Sequence, residues 1–297
     1  MKKSATTIEE QIEKLKQRGM VFDNEEKAKE NLLDIGYYRL GFYWFPFEKT
    51  FPRDVNRTHE LVGNTKFEYA IKLYYFDFDL RNVFLKYISR VEINFRTTLI
   101  YHVSNKYKEN SLWYLDKTVV KESFLNSKEK DYMKAIEAAK KESVIMRDLA
   151  SHRTSNAPAW KIIEFLSLGI VISLYENLKD GKLRKEISDI YGVSGPAMLT
   201  DYLHVIRRLR NSCAHGKVLF DFNLPTAIST NGPAVVNNNS KNNLNGAYGV
   251  LKFVLGTISE NRVEDMKNDL CAAFDRVGFI QVLNVIKNNS GLTKEIL

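Results

Sequence analysis

The chain reads as an all-α protein. Three features predict this class: apolar residues recur at three- and four-residue intervals over long stretches, Gly and Pro fall mostly between those stretches, and no segment sustains strand-like alternation. With 297 residues, 44% of them apolar, the chain is large enough to bury a substantial core.

Taken in order, Thr7 precedes Glu10 at capping-box spacing, and Ile8, Ile12 and Leu15 form a stripe that Gly19 ends. Asn24 can cap a second helix with Ala28, Leu32 and Leu33 before Gly36. These two form the expected N-terminal helical hairpin. The aromatic run 37–47, closed by Pro46 and Pro52, is too irregular for a period. It can be read as a wedge of core aromatics, or as a platform on which Arg39 and its neighbours stack unpaired bases. Residues 66–107 lack Gly and Pro and carry Leu73, Phe76, Leu80, Phe84, Val91, Phe95 and Leu99, which predicts one very long helix or two joined by a kink. Within it Glu92 and Arg96, four apart, can pair.

Residues 113–130 are polar and mixed, a loop with short helical turns. An amphipathic helix is expected over 131–150 and an apolar one over 160–178. The run 162–175 is interrupted by Glu164, Ser167, Gly169 and Ser173 and falls short of the roughly 20 residues needed to cross a bilayer. Pro196 opens a helix with Leu199, Leu203, Ile206, Leu209 and Cys213 on one stripe, and Gly216 stops it. Residues 226–249 turn to Asn, Ser, Gly and Pro, a long mobile loop; two or three helices follow, among them 248–258 and 263–274. The expected organisation is 1–64 hairpin and aromatic segment, 65–225 helical core, 226–249 Asn-rich loop, and 250–297 C-terminal helices.

The balance of 44 Lys+Arg against 36 Asp+Glu, a formal charge of +8, favours a polyanionic partner. The start, Met1-Lys2-Lys3-Ser4, runs into charged residues and is not expected to be a signal peptide. Two distant cysteines, Cys213 and Cys271, in no ligand cluster, fit a reduced cytoplasmic protein without structural zinc. No Gly-rich loop ending in Gly-Lys-Ser/Thr is present, which argues against an NTPase.

The chemistry gathers at Arg207-Arg208-Leu209-Arg210-Asn211-Ser212-Cys213-Ala214-His215-Gly216. Arginine followed by histidine at this spacing is uninformative alone, since Arg96 to His102 and Arg147 to His152 match as well. What separates Arg210 and His215 is an amide after the arginine, further cations before it, and a histidine at a helix end. On a helix, residues five apart diverge by about 140° and ~7.5 Å, whereas Asn211 and His215, four apart, share a face. A second copy of the helix would complete such a site, so a homodimer is expected. An imidazole ordinarily titrates at about 6.5 and can move protons, and a guanidinium can hold a phosphorane. These groups suit metal-independent cleavage of RNA by internal attack of the 2′-hydroxyl. The alternatives are a histidine stabilised at a helix C-terminus beside solvated arginines, a non-catalytic RNA-binding protein, and a helical interaction module. Cys213 lies on the apolar stripe and reads as core.

The sequence resembles the Abi-like proteins of bacterial abortive-infection phage defence, of the AbiD/AbiF type. The resemblance spans most of 5–220 and is carried by separate blocks. They are Glu10-Gln11-Ile12 to Lys16-Gln17-Arg18-Gly19, Gly36-Tyr37-Tyr38-Arg39-Leu40, Leu73-Tyr74-Tyr75-Phe76-Asp77 with Leu80-Arg81, Val91-Glu92-Ile93 with Arg96, 160–175, and Leu209 to His215. It implies a HEPN-like helical bundle with a C-terminal helical extension, and a ribonuclease toxin with Arg210 and His215 as catalytic pair and Asn211 as the polar residue beside them. Arg207, Arg208, Lys217, Arg39 and Arg96 would contact RNA, and Glu92 would support the site. No metal or cofactor is implied. Some relatives bind a structured non-coding RNA, a further expected partner. Two departures stand out: Gly216-Lys217-Val218 follows the histidine where relatives carry polar residues and an arginine, and Lys217 stands where toxins silenced by nucleotidyl transfer carry tyrosine.

Overall fold

A computed structural model describes residues 4–53, 55–127 and 131–297. Met1–Lys3 of the basic start, and 128–130 of the expected polar loop, lie outside the described residues. Among the described residues there are helices and isolated bridges but no strand or sheet, so the protein is all-α.

The chain divides into two compact units. The first comprises Met1–Val83, Ser212–Asn223 and Met266–Leu297; the second comprises Phe84–Asn211 and Leu224–Asp265. The first unit opens with α1 (Ile8–Gln17), where Thr7 and Glu10 form the complete capping box, and α2 (Glu25–Ile35), capped by Asn24. Gly36, at φ +90°, turns the chain directly into α3 (Tyr37–Trp44) and a 3₁₀ turn at Phe45–Phe47. The aromatic segment is therefore helical, and its pattern is irregular because it serves two surroundings. Leu40, Tyr43, Trp44 and Phe47 are buried, while Tyr38 and Phe42 pack edge to face in solvent. The segment 66–107 is a single helix, α4 (Phe67–Lys106), about 60 Å long. Its part within the first unit buries Leu73, Phe76 and Leu80, with Phe76 edge to face against Phe274 at 4.9 Å.

In the second unit the rest of α4 buries Phe84, Tyr87, Val91, Phe95 and Leu99, with Phe95 against Tyr175 at 5.7 Å. Residues 113–127 contain a 3₁₀ turn at Trp113–Leu115 and the single turn α5 (Glu122–Leu125). Two sequence expectations are corrected in this unit. The helix expected over 131–150 is two, α6 (Tyr132–Ala139) and α7 (Ser143–His152). Ile136 and Ile145 are both buried, and in one straight helix nine residues would turn them about 180° apart, onto opposite faces. The helix expected over 160–178 is likewise broken, into α8 (Ala159–Ile162), a 3₁₀ turn at Ile163–Phe165, and α9 (Leu168–Glu176), where Ser167 caps the new start. Apolar residues all round this stretch leave no period to betray the break. After α9 comes α10 (Gly181–Ile190), in a stretch to which the sequence pattern assigns no element; Asp180 caps it and Leu183 and Ile187 are buried.

α11 (Pro196–Ala214) follows the expected stripe, with Leu199, Leu203, Ile206, Leu209 and Cys213 all buried. The Asn-rich segment is irregular but tied down: Leu224 N–H donates to Asn242 O at 2.7 Å and Ile228 N–H to Lys241 O at 2.9 Å. α12 (Leu244–Ile258) starts four residues before the expected 248, because Asn243 accepts from Gly246 N–H as its cap. α13 (Glu260–Asp275) and α14 (Ile280–Ser290) complete the chain.

Candidate functional site

In the first unit, α11 ends in a Schellman motif. Gly216 N–H donates to Cys213 O and Lys217 N–H to Ser212 O, with Gly216 at φ +62°. His215 is the C-cap residue and is exposed, as is Lys217. The chain that follows is held from three directions. Arg39 Nη2 donates to Gly216 O and lies 3.3 Å from Tyr43 Oη. Arg81 Nη1 donates to Lys217 O at 3.3 Å. Asp77 accepts from Leu219 N–H and Phe220 N–H, both at 2.7 Å, from Tyr43 O–H at 3.2 Å, and from Arg81 at 3.4 Å.

Asp77 is fully buried, and burial raises its carboxyl to about 6 against the two amides, Arg81 and Tyr43, which favour the charged form. Burial also pushes the Cys213 thiol up to about 12, which makes it a core residue and a poor nucleophile. Asp77 stands out in the sequence only as part of a family block, yet a second signal is there. It lies four residues after Leu73, three before Leu80 and seven before Phe84, in the middle of an apolar stripe where a carboxylate needs partners.

In the second unit, Arg210 Nε donates to Glu92 Oε1 at 3.1 Å, with the arginine side chain 42% exposed and the glutamate 17%. The pairing of Glu92 with Arg96 does not form. Arg96 turns instead to Leu166 O at 3.0 Å and approaches Glu164 at 4.0 Å, because the break before α9 presents a carbonyl that needs a donor. Arg207 packs over Gly169, where an added Cβ would meet its Nη1 at 3.0 Å. Arg208 and Asn211 are exposed. The nine residues singled out by sequence therefore have different surroundings. Arg210 and Glu92 meet; Arg39 grips the backbone beside His215; Arg96 is occupied by its own unit; Arg207 packs over Gly169; and Arg208, Asn211, His215 and Lys217 face solvent.

Among the described residues, no three or more His, Cys, Asp and Glu gather where they could hold a metal ion, and no helix is long and apolar enough to cross a membrane.

The polar contacts explain why separated blocks of the sequence go together. Arg39, Asp77 with Arg81, and the segment after His215 form one network, and Glu92 meets Arg210 in the other unit. Neither the curated proteins nor the solved structures gave a match. The family comparison did: it takes in residues 30–221, leaving out the block around Glu10 to Gly19 and everything after the segment that Asp77 holds. That span is well over half of the 297 residues, and the chain belongs to the Abi-like protein family.

Proposed function

We propose that this chain is a HEPN-type endoribonuclease toxin of abortive-infection defence, cutting RNA without a metal, with Arg210 and His215 as its catalytic pair. Family membership supports the defence role. The observation that carries the chemistry is His215: an exposed imidazole at a helix C-cap whose following backbone is gripped by Arg39, Arg81 and Asp77. A proton-transfer group works best when its position is set in advance, and here the setting is done by the buried Asp77 and Arg81 and the half-buried Arg39, which leave the ring in solvent.

In the reaction the RNA 2′-hydroxyl loses its proton to a base and attacks the neighbouring phosphorus. The P–O5′ bond breaks and the leaving oxygen takes up a proton, giving a 2′,3′-cyclic phosphate and a 5′-hydroxyl. His215 moves the protons. Arg210, held through Nε by Glu92, offers its outer guanidinium nitrogens to the phosphorane. Asn211 orients the imidazole or the phosphate. Two copies of the chain, each bringing its α11, would form the working enzyme, and a structured non-coding RNA is the further partner expected.

The test is to incubate purified protein with single-stranded RNA in EDTA. Wild type should yield cyclic-phosphate ends and leave DNA intact, and His215→Ala should be slower by about 10²–10⁴-fold. Cleavage that needs a divalent metal, or that survives His215→Ala, would overturn the proposal. RNA that is bound but never cut would favour a protein that only holds a cognate RNA.

A further inference from the structure

The second unit contains a cavity of about 610 Å³ to which the reaction above assigns no role. One wall is the face of α11 that carries Ala197, Asp201, His204 and Arg208; the other is the segment from Leu224 to Ser229. At ~100° per residue, those four side chains and Asn211 leave the helix within about 40° of one line, and Arg208 lies only about 4.5 Å along the axis from Asn211. The α11 wall of the cavity therefore lies on the same strip of helix surface as Asn211.

Its chemistry is mixed in an ordered way. Tyr202, Val205, Leu224 and Ile228 supply apolar surface, Asp201 and Ser229 supply polar edges, and Arg207 and Arg208 supply cations. Flat apolar faces, polar edges and an attached anion describe a nucleotide. The second wall is preformed: Leu224 and Ile228 are buried and bonded through their amides to Asn242 and Lys241. On the first wall, Tyr202 Oη accepts from Ala234 N–H at 3.2 Å. Two lining side chains also hold buried nitrogens with no hydrogen-bond partner among the described residues, Nδ1 of His204 and Nε of Arg207. A buried polar atom left unpaired is unfavourable, and a small shift of these side chains as a ligand enters would relieve it.

We infer that this cavity is a nucleotide subsite: it takes one base, with the attached phosphate on Arg208, and so sets which nucleotide lies beside the scissile bond. The inference rests on the ribonuclease reading for its purpose, but its test reads binding alone. A 5′-labelled single-stranded RNA 10-mer is titrated by fluorescence anisotropy into His215→Ala protein, which should bind but not cut. Adding Ala227→Trp, an exposed wall position, should fill the cavity and weaken binding at least tenfold with the circular dichroism spectrum unchanged. Arg208→Gln should weaken it as well and make it less dependent on salt. AMP and UMP added alone separate the two sources of the ligand. Competition at millimolar concentration means a free nucleotide also fits, and no competition means the subsite serves only a nucleotide within a chain; either result supports the site provided that Ala227→Trp weakens RNA binding. RNA binding equal to that of the parent in both Ala227→Trp and Arg208→Gln would overturn the inference. Cleavage persisting in His215→Ala would sink the catalytic proposal while leaving this one standing.

Discussion

At His215 the ring is exposed while the backbone just beyond it is constrained, because Arg39 and Arg81 occupy the carbonyls of Gly216 and Lys217, and Asp77 takes the amides of Leu219 and Phe220. Asp77 is the residue on which this depends. Removing it as Asp77→Ala would leave two amides without an acceptor and the buried Arg81 guanidinium without its counter-charge, a loss of about 3–5 kcal/mol that a urea titration would read. Its titration has a definite sign. The folded state holds the Asp77 proton up to about 6, whereas the ordinary value is 3.8. Its contribution to stability is therefore fully present below 3.8 and is lost as the pH rises through about 6. Asp77→Asn cannot titrate, so the stability difference between wild type and this variant should shift against wild type between pH 4 and pH 6.5. A difference that stays flat over that range would contradict a raised carboxyl.

At the scale of the element, α11 owes its end to Gly216. The Schellman motif requires a left-handed residue there, and an L side chain in that conformation costs about 1–2 kcal/mol. The space is open: an added Cβ would sit 4.0 Å from Arg39 Nη2, its nearest neighbour, so Gly216→Ala should lose that strain energy and no packing. A thermal melt lowered by a few degrees would agree; a collapse of the fold would mean that the methyl breaks the Arg39 contact as well. Helix breaks elsewhere have the same local logic. Ser167 and Asp180 cap α9 and α10 through the amides of Ile170 and Leu183. Both caps are visible as residues, but an apolar run on one side and a short polar one on the other hide the period that gives a cap its meaning.

For the whole molecule, the proposed site draws on two copies of the chain, and this can be tested without a structure of the assembly. Arg210→Ala and His215→Ala proteins, each inactive alone, should recover part of the cleavage rate when co-expressed if one intact Arg/His set forms between them. Light scattering should give the mass of two chains. Recovery failing while the mass is dimeric would place each Arg/His set within a single chain.

Sequence by itself determined the class, the first two helices with their caps, the helical character of 66–107, the buried stripe of α11 and the glycine that ends it, because each is a local matter of period, cap and turn; that 66–107 is one helix without a kink was left to the fold. Tertiary structure alone decided the partners. Glu92 could pair with Arg96 one turn away, yet it meets Arg210, 118 residues on. Asp77 reaches Leu219 and Phe220, 142 and 143 residues on, and Arg39 reaches Gly216, 177 on. A period says which face of a helix is buried, but a buried charge is satisfied by whatever donors the fold brings to it, and those come from segments that no local pattern connects.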